Sequence, residues 1–139
     1  MSETSSVVPE TAVRKGAAVP ACVLACLLPG AGHLYLRRTD KGLIFLGCIG
    51  ALFVMGLLMH SRLAMSLGLD DLLASLFSLA QMAIGAPYFV ARALGFGAGG
   101  VQAVKAVTFE YGNTFTAVAG LLNILVVLDA YDTALGRKA

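Results

Sequence analysis

Long stretches without a formal charge divide this chain, and its charged residues fall between them. Residues 16–36, 42–59, 72–91 and 111–128 contain no Asp, Glu, Lys or Arg, giving runs of 21, 18, 20 and 18 residues. A bilayer's hydrocarbon core is ~30 Å thick and an α-helix rises ~1.5 Å per residue, so about 20 residues span it. The runs are apolar on every side and lack the alternation of a barrel strand. The pattern predicts an all-α fold: an integral membrane helical bundle of about four transmembrane helices, the first ending at Pro29-Gly30. The expected spans are approximately 14–36, 42–60, 72–92 and 113–131, in a single multi-pass domain over 14–139. Residues 1–13, rich in Ser, Thr and Glu, are expected to form a mobile polar tail.

The joints carry helix punctuation. Thr39 and Asp40 precede the second run, Asp70 and Asp71 the third, and Asn113 and Thr114 stand before the fourth. Their side-chain oxygens suit the exposed N–H groups of a helix start, and the aspartates also suit its positive dipole end. Within the first run, Pro29 removes a helix hydrogen bond and Gly30 loosens the backbone. A helix is therefore expected from Thr11 or Val13 to Leu28, with Arg14 and Lys15 reaching for the interface. A turn through Gly30-Ala31-Gly32 then leaves His33, Leu34 and Tyr35 near the lipid headgroups. The rival reading, a cleavable signal peptide, is opposed by the long acidic leader and by the proline at the cleavage region. No internal repeat stands out. If the first segment crosses, the ten basic residues divide five and five; if it is re-entrant, seven against three.

Composition supports the membrane class. Hydrophobic residues make up 58% and charged residues 13%, with a mean hydropathy of +0.84. Soluble domains average roughly 45–50% and 25%, so too little charge is present to cover a water-facing surface. A net charge of +2 without a basic run gives no footprint for nucleic acid. The expected partners are the lipid bilayer and either a membrane protein or a second copy of the chain.

The stretch Pro29-Gly30-Ala31-Gly32-His33-Leu34-Tyr35-Leu36-Arg37, followed by Lys41-Gly42, resembles the P-G-x-G-[Q/H]-x-Y turn of small membrane proteins related to the TM-two (two-transmembrane) domain. That group joins two membrane helices by a short polar connection. Asn123 through Asp129-Ala130-Tyr131 is similar to the closing helix of such proteins, where an Asp follows an apolar run, and the whole segment from Glu110 and Asn113 to Asp132 looks like an uncharacterised bacterial membrane family. The resemblance covers most of residues 20–138. It implies a multi-pass protein of the bacterial cytoplasmic membrane and carries no activity with it.

Candidate chemistry is sparse. Gly95-Phe96-Gly97-Ala98-Gly99-Gly100 fits G-x-G-x-x-G, but a membrane run precedes it and the nearest acid, Glu110, follows too soon for a dinucleotide site. Cys22 and Cys26 share a helix face, with Cys48 on the next helix; without His or carboxylate beside them they read as packing residues. His33, His60, Asp129 and Asp132 would make a metal or proton-handling site only if the helix ends converge, and they lack a ligand spacing. Otherwise each marks an interface. Asp129 closes an apolar run and requires a polar partner, for which Arg37, Arg38 and Asn123 offer themselves. Gln81 and Asn123 lie within spans, where amides seek neighbouring helices. Gly112, Thr116 and Gly120 form a small-residue stripe that allows close helix approach.

These residues predict a non-catalytic membrane protein, a small helical scaffold or interaction partner without a cofactor or bound metal. Its candidate interaction or structural sites are His33, Tyr35, Glu110, Asn113, Asn123, Asp129 and Asp132. One alternative is an oligomeric transporter or channel component using Gln81, Asn123 and Asp129; another is an intramembrane metal enzyme using His33, His60 and Asp129.

Overall fold

A computed structural model describes residues 10–63, 65, 67–98, 105 and 107–137, with side chains from residue 16 onward. Its helices are α1 (Glu10–Leu27), α2 (Ala31–Tyr35), α3 (Thr39–Leu58), α4 (Leu72–Met82), α5 (Ala86–Ala93) and α6 (Phe109–Ala134). Among the described residues there is no strand. Residues 1–9 of the expected tail, and Gly99 and Gly100 of the glycine-rich run, lie outside the described residues. Residues 10–13 are already helical.

Among the described residues two helices, α3 and α6, are long and apolar enough to cross a membrane. They run antiparallel. At one end Gly56 of α3 lies against Gly112 and Thr116 of α6, and neither glycine leaves room for a Cβ. At the other end Phe45 meets the His33 ring, which is bonded to Asp129. Ile49, Phe53, Ala119 and Val126 bury their side chains in the core between.

The other two expected spans are interrupted, for local reasons. In the first, the apolar helical segment Gly16–Leu27 has only 12 residues, which rise ~18 Å. It stops before Pro29, and Gly30 takes a left-handed φ of +81° that an L side chain rarely adopts. In the third, α4 and α5 meet at a bend of 102°. Gly85 has φ +90° there, and Pro87 lacks the N–H that a continuous helix would have donated to the Ala83 carbonyl.

Contacts along α6 show where the interrupted segments lie. The Ala80 carbonyl abuts Gly120, and the break at Ala83–Ile84 is bonded to Asn123, near the middle of α6. Ala74 of α4 and Arg92 of α5 line one cleft together with Arg62, which follows α3. The bent pair therefore goes in to mid-depth and returns to the end from which it started. α1 and α2 do the same from the opposite end. The Cys26 carbonyl at the tip of α1 abuts Gly85, Gly32 is wedged against Ala25 and Ala130, and Gly30 packs on Gly42 of α3.

A repeat that the sequence did not reveal now stands out. Each half has a short-reaching helix, a glycine with positive φ, a short helix and then a long one. Gly30-Ala31-Gly32-His33 corresponds to Gly85-Ala86-Pro87-Tyr88, with fully buried His33 and Tyr88 at matching places and Arg37 and Arg92 four residues on. Because α3 and α6 are antiparallel, the halves are inverted relative to each other, an arrangement familiar among membrane proteins with discontinuous helices.

Candidate functional site

The polar residues inside the bundle are organised by α6, four of whose side chains hold three other stretches: the segment after α3, the α4–α5 hairpin and α2. Asn113 is the first. Its Oδ1 accepts from the Arg62 backbone N–H at 2.8 Å and from Ser61 Oγ at 3.2 Å, which ties down the chain leaving α3. Asn113 is thus not the cap of this helix, which begins four residues earlier at Phe109. The cap at Asp71 does form, with its Oδ1 accepting from Ala74 N–H at 3.0 Å. Arg38, rather than Thr39 or Asp40, occupies the cap position of α3, with no side-chain cap bond.

Thr116, one turn further along α6, is fully buried. Its Oγ1 accepts from Gln81 Nε2 at 2.8 Å and lies 2.9 Å from both Ser61 Oγ and the Asn113 carbonyl. Gln81 Nε2 also donates to the Arg62 carbonyl at 3.2 Å, so one amide joins α4 to both α6 and the segment after α3. Asn123 comes next. Its Nδ2 donates to the Ala83 carbonyl at 2.9 Å and to the Ile84 carbonyl at 3.3 Å. Pro87 leaves the first of these without its helical donor, and Tyr88 N–H, the helical donor for the second, bonds Gly85 instead. The side chain thus satisfies the two carbonyls that the helix break releases.

Asp129 holds the other hairpin. Its Oδ2 lies 2.9 Å from His33 Nε2, and the His33 side chain is fully buried while that of Asp129 is about one-quarter exposed. A carboxylate only accepts, so with Asp129 ionised the Nε2 proton is the shared one. The Phe45 ring packs edge-on against the imidazole, with centroids 5.1 Å apart. His33, which is not among the partners expected for Asp129 (Arg37, Arg38 and Asn123), is bonded to it, and His33 lies in the bundle interior rather than at the headgroups. The physical cause is the tight turn at Gly30, which directs α2 back onto α6.

The remaining candidates lie outside this set. Tyr35 is half exposed, Glu110 is exposed, and Asp132 forms a 3.6 Å ion pair with Arg137 near the surface. His60 is exposed and follows α3 at the end marked by Gly112, whereas His33 sits by Asp129. Seventeen α6 residues separate those two levels, about 25 Å, so His33, His60 and Asp129 do not meet. Among the described residues no group of three His, Cys, Asp or Glu side chains is placed to hold a metal. Among the described residues three buried polar atoms have no hydrogen-bond partner: His33 Nδ1, Asn123 Oδ1 and Thr133 Oγ1.

Ser61 and Arg62 were missed because they follow the second run as ordinary loop residues; only their contact with Asn113 and Gln81 reveals their place. Asn113 and Gln81 were themselves visible as amides in or beside apolar runs.

A family model described as a family of unknown function, DUF6677, matches residues 20–139. No curated protein and no solved structure matches. The matched family is an uncharacterised one, in keeping with the sequence reading, and no comparison carries the finer likeness to the TM-two group.

Proposed function

We propose, from the premise that the chain belongs to this family of unknown function, that it is a non-catalytic scaffold or interaction partner within a bacterial cytoplasmic membrane. One observation carries the reading: Asn113, Thr116, Asn123 and Asp129 of α6 together bond three other stretches of the same chain, the segment after α3, the α4–α5 hairpin and α2. Side chains engaged in that way stabilise an unusual backbone path, in which interrupted helices can persist at membrane depth because neighbouring protein satisfies their carbonyls. Interhelical hydrogen bonds of this kind contribute about 0.6–2 kcal/mol each.

In this reading α3 and α6 cross the bilayer, and the α1–α2 and α4–α5 hairpins enter it from opposite faces. Counted by chain position, Arg14, Lys15, Arg37, Arg38, Lys41, Arg137 and Lys138 then share one face, and Arg62, Arg92 and Lys105 the other. Seven against three puts both chain ends in the cytoplasm. The faces available to a partner are near the ends of α6, where Tyr111 and Tyr131 are exposed. Photo-crosslinking residues at these two positions in native membranes are expected to capture one membrane protein, or a second copy of this chain, reproducibly. Adducts with lipid alone would overturn the scaffold reading.

A second reading, a component of an oligomeric transporter, is favoured by the buried unpartnered His33 Nδ1 and Asn123 Oδ1, which lie beside the two hairpins. In that case Asp129→Asn changes solute or proton flux in reconstituted liposomes; unchanged flux removes the reading.

A further inference from the structure

A cleft at the Asn113 end of the bundle is lined by two arginines. It encloses about 740 Å³ between the chain leaving α3, the start of α4 and the end of α5. Arg62 and Arg92 both line it, with Leu63, Met65 and Phe96 as apolar walls. The rim is built rather than loose. Arg92 Nη1 donates to the Leu63 carbonyl at 2.6 Å, and Leu63 N–H donates to the Gly97 carbonyl at 3.1 Å. Leu63 itself is buried, lying where a Cβ on Gly97 would have to go.

Among the described residues no carboxylate is paired with either guanidinium. Asp71, at the near end of α4, directs one oxygen to its own helix cap, and Glu110 lies at the start of α6 without reaching the cleft lining. Two arginines line one cavity, and the one anchored by a backbone carbonyl through Nη1 has further N–H donors besides. A tetrahedral oxyanion suits such a pair because guanidinium forks bind phosphate oxygens two at a time. The apolar walls add a place for the first carbons of an acyl chain, and the cleft lies where the α4–α5 hairpin leaves the bundle.

We propose that the Arg62–Arg92 cleft binds a phosphate-bearing anion, delivered either as the headgroup of an anionic phospholipid or as free phosphate. The proposal uses the placement of the bent pair and is independent of the scaffold reading. Basic pockets between membrane helices on the cytoplasmic side bind such headgroups, and in this bundle the second half supplies a pocket of the same chemistry on the face that carries Arg62 and Arg92. The equivalent arginine of the first half, Arg37, is exposed at the other end beside Arg38 and is the natural control.

The test uses the full chain purified in neutral detergent, with lipid retention followed by native mass spectrometry. Phosphatidylglycerol, phosphatidylcholine and inorganic phosphate are the probes. The wild-type chain retains phosphatidylglycerol in preference to phosphatidylcholine, and Arg62→Gln and Arg92→Gln each weaken retention by about tenfold. Arg37→Gln leaves it unchanged. Because Arg92 also holds Leu63, Arg92→Lys serves as a second variant that keeps a donor and a charge; it retains more lipid than Arg92→Gln. Competition by millimolar inorganic phosphate, with the same dependence on both arginines, identifies free phosphate as the ligand. Lipid retention insensitive to phosphate identifies the headgroup. Equal retention by the folded Arg62→Gln/Arg92→Gln double variant, or an equal loss in Arg37→Gln, overturns the proposal.

Discussion

The close approach of α4 to α6 at Gly120 gives a sharp test of the fold. Gly120 of α6 lies against the Ala80 carbonyl of α4, and a Cβ added there would collide with backbone, which has no rotamer by which to yield. Gly50 of α3 is the reference: a Cβ there has no heavy atom within 4 Å. Both residues are in helix interiors, so replacing either by Ala gains the same helix preference, about 0.5–1 kcal/mol. That gain cancels when the two variants are compared. What remains is the cost of displacing α4, about 1–3 kcal/mol for an overpacked methyl group. Displacing α4 also lengthens the bonds from Gln81 to Thr116 and from Asn123 to Ala83, so the upper part of that range is expected. Gly50→Ala should then be as stable as wild type or slightly more so, and Gly120→Ala should unfold with an equilibrium constant about 5- to 150-fold larger than that of Gly50→Ala. Reversible unfolding in mixed micelles, titrated with a denaturing detergent and followed by far-UV circular dichroism, measures the difference. Equal stability of the two alanine variants would refute the close α4–α6 packing, and with it the mid-depth placement of the hairpin tip.

The placement of the two hairpins has its own readout. In a cysteine-free background, Ala74→Cys and Ala93→Cys are expected to react with a membrane-impermeant maleimide from the same face, and Arg37→Cys from the opposite face. Labelling of positions 74 and 93 from different faces would mean that α4 and α5 together cross the membrane. For the His33–Asp129 bond, a double-mutant cycle with His33→Ala and Asp129→Ala should give a coupling of about 0.5–3 kcal/mol in the same unfolding assay. The cycle is needed because Asp129 has a further interaction besides His33, so its single variant reports more than the pair; a coupling near zero would sever the proposed link between α2 and α6.

Charge-free length placed the helices in the sequence but not their depth. The second and fourth runs became α3 and α6 because nothing inside them breaks a helix. The third run was 20 residues without a charge, yet Gly85 and Pro87 sit in its second half, and hydropathy is blind to a φ of +90° or a missing N–H. Pro29-Gly30 gave the same signal in the first run, and there the end of the helix was readable. Read alike, the two signals would have exposed the repeat, since Gly30-Ala31 and Gly85-Ala86 each precede a buried ring by the same spacing.

The site was legible only in part, because polarity in a sequence marks a residue without naming its partner. Gln81, Asn113, Asn123 and Asp129 were visible as polar groups in or beside apolar runs. Their partners are 19, 51, 40 and 96 positions away, counted to the Arg62 carbonyl, the Arg62 N–H, the Ala83 carbonyl and His33. Two of those four partners are backbone carbonyls and a third is a backbone N–H, which no side-chain pattern can announce. The carbonyl of Ala83 is free to accept because the helix breaks at Gly85 and Pro87 has no N–H to donate to it. The helix break and Asn123 are therefore one feature, divided in the sequence and joined by the fold: a proline four residues after a mid-run carbonyl creates the need that an amide on another helix then meets.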